Sequence, residues 1–221
     1  MPDHKHNDAP QPREAMAQHL VAGLNSLGQS LSEERIGTLL DYLAELVRWN
    51  RAYNLTAVID PMEMVHRHVI DSLSIRPFLE GRRILDSGTG AGLPGVVLAV
   101  AEPDREFVLV DSNGKKVRFL RHIRRTLGLE NIEPIHARLE SLTLDPPPDQ
   151  IVARALAPLA RLADWHRPWL ERGACLLAMK GQLDQAEIDD VPDGYSVEKH
   201  ALEWAGMQAD RCVAKVTLRP S

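Results

Sequence analysis

Arg83-Ile84-Leu85-Asp86-Ser87-Gly88-Thr89-Gly90-Ala91-Gly92-Leu93-Pro94-Gly95 is followed, after the apolar run Phe107-Val108-Leu109-Val110, by Asp111. The order is strand, glycine loop, helix, and a second strand ending in a carboxylate. Glycines at alternate positions let the backbone approach a ligand closely, and a helix opening near Pro94 points free N–H groups at any anion in the loop. An acid at the end of the second strand can accept from both hydroxyls of a ribose. These features describe a nucleoside site. Gly90, Gly92 and Gly95 also satisfy the dinucleotide pattern, with Asp111 near the distance expected of its ribose acid. Asp86 separates the two readings, because just ahead of the first glycine it would repel a pyrophosphate and attract the ammonium of a methionine. The chain also lacks a second large catalytic domain, so the reading is S-adenosylmethionine. An ordinary glycine-rich turn would require Asp86, the glycines and Asp111 to coincide by chance.

The chain of 221 residues has room for one α/β domain and a modest extension, and 44% hydrophobic content is enough for a sizeable core. The longest apolar stretch, Val96 to Ala101, falls far short of a membrane span, and Met1 to Arg13 lacks the apolar centre of a signal peptide. A cytoplasmic location is expected. Cys175 and Cys212 lack C-x-x-C spacing and read as small apolar residues of late strands. The net charge of -5 argues against a generally basic coat but not against a local basic face.

Three regions follow from the pattern. Residues 1–12, with His4 and His6, read as a disordered tail, and two histidines at that spacing are a weak metal signal. Residues 13–80 read as a helical extension placed as a substrate cap. Its helices span roughly 13–28 and 32–52, Asp60-Pro61 with Glu63 resembles a capped helix start, and another helix runs through His68 to Leu73. Residues 81–221 alternate strand and helix, with strands near 83–86, 106–110, 132–136, 150–153, 173–179, 195–200 and 211–218. The last two have no helix between them and should pair antiparallel. The expected fold is α/β and Rossmann-like, a seven-stranded, mostly parallel sheet with an antiparallel last strand and an N-terminal helical extension.

Lys115, Lys116, Arg118, Arg121, Arg124 and Arg125 fall in one helical stretch, with no acid between Ser112 and Leu129. Val117, Leu120, Ile123 and Leu127 supply its buried side. Like charges three or four apart repel by a few tenths of a kcal/mol per pair, which a polyanion would relieve, and RNA is the natural candidate. The bland alternative is a solvated helix surface.

The chain resembles the ribosomal small-subunit RNA methyltransferase G family, also called GidB. Besides the glycine loop, the resemblance rests on Trp49-Asn50-Arg51-Ala52-Tyr53-Asn54-Leu55-Thr56-Ala57, His66-Arg67-His68-Val69-Ile70-Asp71-Ser72-Leu73, Val110-Asp111-Ser112-Asn113-Gly114-Lys115-Lys116-Val117-Arg118-Phe119-Leu120, Arg154-Ala155 and Met179-Lys180-Gly181. It implies a class I S-adenosylmethionine-dependent methyltransferase acting at N7 of guanine 527 of 16S rRNA. The implied cofactor is S-adenosyl-L-methionine and the implied partner is 16S rRNA or the small ribosomal subunit, with no metal and no membrane. Two other classes stay open: a methyltransferase of the same fold acting on a small molecule or protein, and a non-catalytic nucleotide-binding regulator of division.

Guanine N7 carries an in-plane lone pair and no proton, so no general base is needed and positioning should dominate. Asp145-Pro146-Pro147-Pro148 superficially resembles a motif for exocyclic adenine nitrogens, but it precedes its strand and lacks the aromatic, so it reads as a loop. Neither cysteine sits in the Pro-Cys loop that pyrimidine carbon-5 chemistry requires.

By the resemblance, Gly88 and Leu93 are cofactor-loop contacts, Leu139 and Glu140 lie on the adenine side, and Arg154 ends strand four beside the cofactor. With Asp86, Gly90, Gly92 and Asp111 they make the expected cofactor site, Arg154 serving as the positioning residue of catalysis. The cation of Arg154 would repel both a sulfonium and a methylated guanine, so it should face a carboxylate, an RNA phosphate or guanine O6, unless it forms only a structural ion pair. Ala153 departs from the family, where serine usually precedes this arginine. The expected RNA contacts are Asn54, Thr56, Arg67, Lys115, Lys116, Arg118, Arg121 and Arg125. Asn54 and Thr56 could instead cap or brace the turn after their helix, and Asp71 could pair internally. His66 and His68 read as packed or solvated, and Trp165 and Trp169 as core or as stacking surfaces for a flipped base.

Overall fold

The computed structural model describes residues 12–219, apart from 206, 208 and 209. Residues 1–11 of the expected tail lie outside these, and Pro12 already opens a helix.

Central strand β1 (Arg83–Ser87) pairs in parallel with β2 (Glu106–Asp111) on one side and β4 (Gln150–Arg154) on the other. β3 (Ile132–His136) lies outside β2, and β5 (Cys175–Lys180) outside β4. β7 (Arg211–Leu218) runs antiparallel to both β5 and β6 (Tyr195–Leu202), giving the order β3-β2-β1-β4-β5-β7-β6. Helices cover both faces, so inner strands such as Phe107-Val108-Leu109-Val110 are apolar at consecutive positions instead of alternating. The order reverses between β1 and β4, the place where open α/β sheets bind ligands beyond the carboxyl ends of their strands. Ser87 is in register with Ala153 there, so the glycine loop starts directly beside Arg154.

β1, β2, β4 and β5 each run one residue further than the apolar pattern suggests, bringing Ser87, Asp111, Arg154 and Lys180 to the carboxyl edge inside the ladder. Strand five also starts later than expected, at Cys175.

The front of the chain holds α1 (Pro12–Ser26) and α2 (Glu33–Tyr53), the latter capped by Ser32, which accepts from Arg35 N. A further helical run begins at Asp60, whose side chain accepts from Glu63 N, and comprises α3 (Pro61–Met64), π-helical turns over Val65–Ile70 and α4 (Asp71–Leu73). Leu43, Leu46 and Val69 of this front share one hydrophobic cluster with Val96, Val97 and Phe119 of the sheet's helices. Tyr42, fully buried, donates to Ala91 O at 2.9 Å and so fastens α2 to the glycine loop.

On the sheet itself lie α5 (Gly95–Ala101), α6 (Gly114–Leu127), α7 (Leu159–Leu170) and the short α8 (Gln185–Asp189). α6 starts at Asn113, which accepts from Lys115 N, and stops at Gly128 in the left-handed conformation. α7 is tied to β1 through His166, whose Nδ1 donates to Leu162 O at 2.7 Å while Nε2 accepts from Ser87 Oγ at 2.8 Å. Both residues are fully buried, and burial holds the His166 pKa down at about 4, so the pair is a neutral structural tie. Among the described residues, no helix is long and apolar enough to cross a membrane.

Candidate active site

The glycines of the loop differ in what surrounds them. A Cβ on Gly92 or Gly95 would run into Val96 or Leu109, and one on Gly88 would meet Leu156 Cδ1 at 2.5 Å, so these three let loop, helix and sheet close together. Gly90, at φ +62°, faces open space, its nearest neighbour being Lys116 Nζ at 3.9 Å from an added Cβ. A Cβ there would make only ordinary contacts, so Gly90 is the uncrowded glycine of the four.

Asp86 departs from expectation. It is fully buried, and its Oδ2 accepts from Thr89 Oγ1 at 2.5 Å and Gly95 N at 2.7 Å, so it braces the loop and caps α5 instead of lining an open surface. Its Oδ1 is buried without a partner among the described residues. Burial pushes its pKa up to about 6, against the hydrogen bonds and the more distant Arg154 cation, which lower it.

Asp111 closes the other side of the loop, with Oδ2 accepting from Gly90 N at 3.0 Å and Oδ1 from Asn113 N at 2.7 Å. It lines a cavity of about 330 Å³ together with Gly88, Leu139, Glu140, Leu156 and Trp165. Thus four of the expected cofactor residues, Gly88, Asp111, Leu139 and Glu140, converge on one concavity. Leu93 is buried in the core cluster under the loop and does not line it. Trp165, an aromatic wall with Arg161 over its ring at 4.7 Å, was legible only as core or base-stacking surface, whereas Trp169 is core.

Beside this cavity lies a second of about 350 Å³, lined among others by Arg67, His68, Asp71, Arg154, Lys180 and Arg211. Ala155 lines both. Its φ of 50° is a left-handed conformation that a residue with a Cβ adopts at a cost of roughly 1–3 kcal/mol, so the chain turns sharply where the cavities meet. Arg154 faces a carboxylate: its Nη1 donates to Asp71 Oδ2 at 3.0 Å and to Arg67 O at 3.1 Å. Arg211, absent from the sequence reading, donates from Nε to the other oxygen of Asp71 at 3.0 Å. Lys180 is held by Glu187 Oε1 at 2.6 Å and Ala157 O at 2.8 Å. Nothing local in the sequence signals Arg211, because it enters the site only through the antiparallel return of β7.

Several expected RNA contacts also make bonds within the protein. Thr56 is a brace: its backbone N and O both bond the Asn50 side chain at 2.9 Å, and its Oγ1 accepts from Val58 N at 3.1 Å. The Thr56 hydroxyl also lies within hydrogen-bond reach of His68 Nε2, 2.9 Å away. Burial lowers the His68 pKa to about 4, leaving it neutral. Asn54, at φ 49°, terminates α2 with its backbone N–H on Asn50 O. Arg67 is exposed at the cavity rim, 3.6 Å from Glu63.

The six cations of α6 do not share one outward face. Lys116 turns into the 330 Å³ cavity and pairs with Asp111, and Arg124 pairs with Glu130 at 3.4 Å. Lys115, Arg118, Arg121 and Arg125 remain exposed and form no ion pair among the described residues, with Arg118 placed over the Tyr53 ring at 5.9 Å. At 100° per residue these four lie within about a third of a turn, whereas Lys116 and Arg124 fall outside it.

A glycine loop at the switch point, an acid closing it and a mostly parallel sheet with an antiparallel β7 define a Rossmann-like class I methyltransferase fold. The ribosomal protein L11 methylase of Lactobacillus delbrueckii subsp. bulgaricus has a similar fold, with a TM-score of 0.52 at 16% identity, covering 70% of this chain and 80% of that one. More narrowly, the chain belongs to the GidB family, rRNA small subunit methyltransferase G, whose family model matches residues 35–211. It is 46% identical over 197 residues to the ribosomal RNA small subunit methyltransferase G of Methylococcus capsulatus, covering 89% of this chain and 96% of that protein. The protein of that name from Pseudomonas aeruginosa is 45% identical over 197 residues, covering 88% and 92%.

Proposed function

We propose that this protein methylates N7 of guanine 527 in 16S rRNA, with S-adenosyl-L-methionine in the 330 Å³ cavity and the guanine in the 350 Å³ cavity. The observation that carries the proposal is that Ala155 lines both cavities, in a chain of this family.

The residues fit the cofactor. Each oxygen of Asp111 accepts one hydrogen bond from a backbone N–H and keeps a lone pair for a ribose hydroxyl. Gly90 leaves its side of the loop open, Leu139 and Glu140 supply an apolar and a polar wall, and the unpartnered Oδ1 of Asp86 adds a negative centre beneath the loop. When bound there, the cofactor supplies an electrophilic methyl group. The chain then has to orient the base and exclude water, since N7 has no proton to remove. Its second cavity suits a base held in place and not deprotonated, because His68, with its pKa near 4, is a weak proton acceptor, Asp71 is committed to two guanidiniums, and Lys180 is tied to Glu187.

In this reading residues 13–80 act as the substrate cap, because they bring Arg67, His68 and Asp71 to the second cavity, and residues 81–221 hold the cofactor. RNA phosphates bind along Lys115, Arg118, Arg121 and Arg125, with Arg67 at the cavity rim, and the enzyme works in the cytoplasm, where its RNA is. Nucleoside mass spectrometry of 16S rRNA from cells with and without the gene tests the proposal. It is upheld if one N7-methylguanosine disappears and aniline cleavage after mild reduction is lost at guanine 527. An unchanged nucleoside profile would overturn it.

A further inference from the structure

Asp71 is 5% exposed and follows directly on the π-helical turns of the N-terminal front, yet its two oxygens serve strands remote in sequence. Oδ2 accepts from Arg154 Nη1 at the end of β4, and Oδ1 accepts from Arg211 Nε at the start of β7, each at 3.0 Å. The second bonds of these guanidiniums go to main-chain carbonyls, Arg67 O at 3.1 Å and Asp210 O at 3.0 Å. Among the described residues neither Nη2 has a protein partner, and both side chains line the 350 Å³ cavity.

The charges of that cavity decide what such a pair can hold. Lys180 is paired with Glu187, the exposed Arg67 stands at the rim 3.6 Å from Glu63, and His68 is neutral, so inside the cavity two guanidiniums and one carboxylate leave a single positive charge with free N–H donors. That matches one phosphodiester, and guanidinium forks match phosphate oxygens in geometry as well as charge. Without the carboxylate, two unscreened cations would stand beside a base that becomes cationic on methylation.

We infer that Asp71 is a positioning residue for the reaction, aiming Arg154 and Arg211 together at the phosphate next to the methylated guanosine and screening their charge from the base. This rests on the proposed function, and it assigns to Arg211 a substrate contact and to Asp71 the alignment of both arginines.

The test compares Asp71→Asn, Arg211→Ala and Arg211→Lys with the parent protein, using small ribosomal subunits that lack the modification. Asp71→Asn should keep or tighten subunit binding, since it removes a negative charge, while the single-turnover methylation rate falls about a hundredfold, the loss expected when reacting groups are misplaced by about an ångström. Arg211→Ala should flatten the dependence of log Kd on log salt by about one unit, and Arg211→Lys should restore that slope without restoring the rate. A parent-like rate in Asp71→Asn overturns the inference, as does a loss of rate and subunit affinity in equal proportion. So does an unchanged salt slope in Arg211→Ala, a reading that also decides the matter if Asp71→Asn does not fold. Should the parent itself transfer no methyl group, the proposed function fails, while the Arg211 salt slope still reports on the phosphate contact by itself.

Discussion

Lys116 Nζ stands 3.5 Å from Asp111 Oδ2, so one cation of α6 belongs to the 330 Å³ cavity and not to the outer face of its helix. The pair separates two kinds of charge change on one helix. Asp111→Asn should weaken S-adenosylmethionine binding at least about tenfold, because hydrogen bonds to a charged group contribute roughly 1.5–3 kcal/mol each. Lys116→Ala should leave the salt dependence of RNA binding unchanged. Calorimetry for the first and filter binding across a salt series for the second check both, and a salt slope that falls in Lys116→Ala would return this lysine to the RNA face.

The loop glycines should divide into two phenotypes. Gly95→Ala puts a methyl group against Leu109 and Asp86 and should destabilise the fold by about 1–3 kcal/mol, as overpacked cores are. Gly90→Val meets open space and carries only the strain of a left-handed residue, about 1–2 kcal/mol, but fills the place a ligand needs. Thermal melts and calorimetry should therefore show Gly90→Val folded and unable to bind S-adenosylmethionine. Unchanged affinity in that variant would move the cofactor elsewhere.

Acid should weaken the fold before ordinary carboxylates titrate. His68 and His166 are held near pKa 4 by burial, so the stability tied to each is fully present above their ordinary value of 6.5 and is lost as the pH falls towards 4, about 3 kcal/mol apiece. Asp86, raised to about 6, has the opposite sign: its protonation recovers about 3 kcal/mol over the descent from pH 6 to 4. Two histidines outweigh one carboxyl. The melting temperature should fall between pH 7 and 4.5, and more steeply in Asp86→Asn, where the opposing contribution is gone. A melting temperature that holds or rises across that range contradicts this balance.

How much of this is readable from sequence depends on whether a residue's partner lies nearby in the chain. The glycine loop, Asp111 and the Asp60 cap are local devices whose geometry follows from adjacent residues, and they sit where the pattern puts them. Seven strands follow from apolar runs, with errors only at their ends, because the last residue of a ladder pairs whether or not it is apolar. The burial of Asp86 is not legible in the sequence, since it comes from α5 folding back over it, which no count of glycines shows. The bracing role of Thr56, one of the two readings its sequence leaves open, shows itself only in the fold for a similar reason, its partners Asn50 and His68 belonging to two different helices. Arg211 is invisible in the sequence, because only the pairing of β7 with β5 brings it to Asp71.

The exposed quartet on α6 should dominate the ionic part of RNA binding. Arg121→Glu should reduce the salt slope by about one unit and weaken binding at low salt, with S-adenosylmethionine affinity unchanged. Arg124→Glu should do less, since Arg124 is already paired with Glu130. If the two reversals flatten the slope equally, the division of the six cations into an outer face and internal pairs has no bearing on RNA.

Methyl transfer itself should show no side-chain base. In the cavity assigned to guanine, His68 titrates near pH 4, and Asp71 already accepts from two guanidiniums. Asp86, beneath the loop, titrates near 6, and its protonation would alter how a cationic cofactor binds, not how N7 reacts. At saturating cofactor and RNA, the single-turnover rate should therefore be flat from about pH 6.5 to 8.5, because N7 has no proton to lose and His68, with its pKa near 4, stays neutral throughout that window. Arg154→Ala should lower the plateau without giving it a slope, since the loss is one of alignment, and added imidazole should not restore it. A rate rising tenfold per pH unit, or a methyl group found on an exocyclic nitrogen, would show that a proton is being removed and that the cavity has been assigned the wrong chemistry.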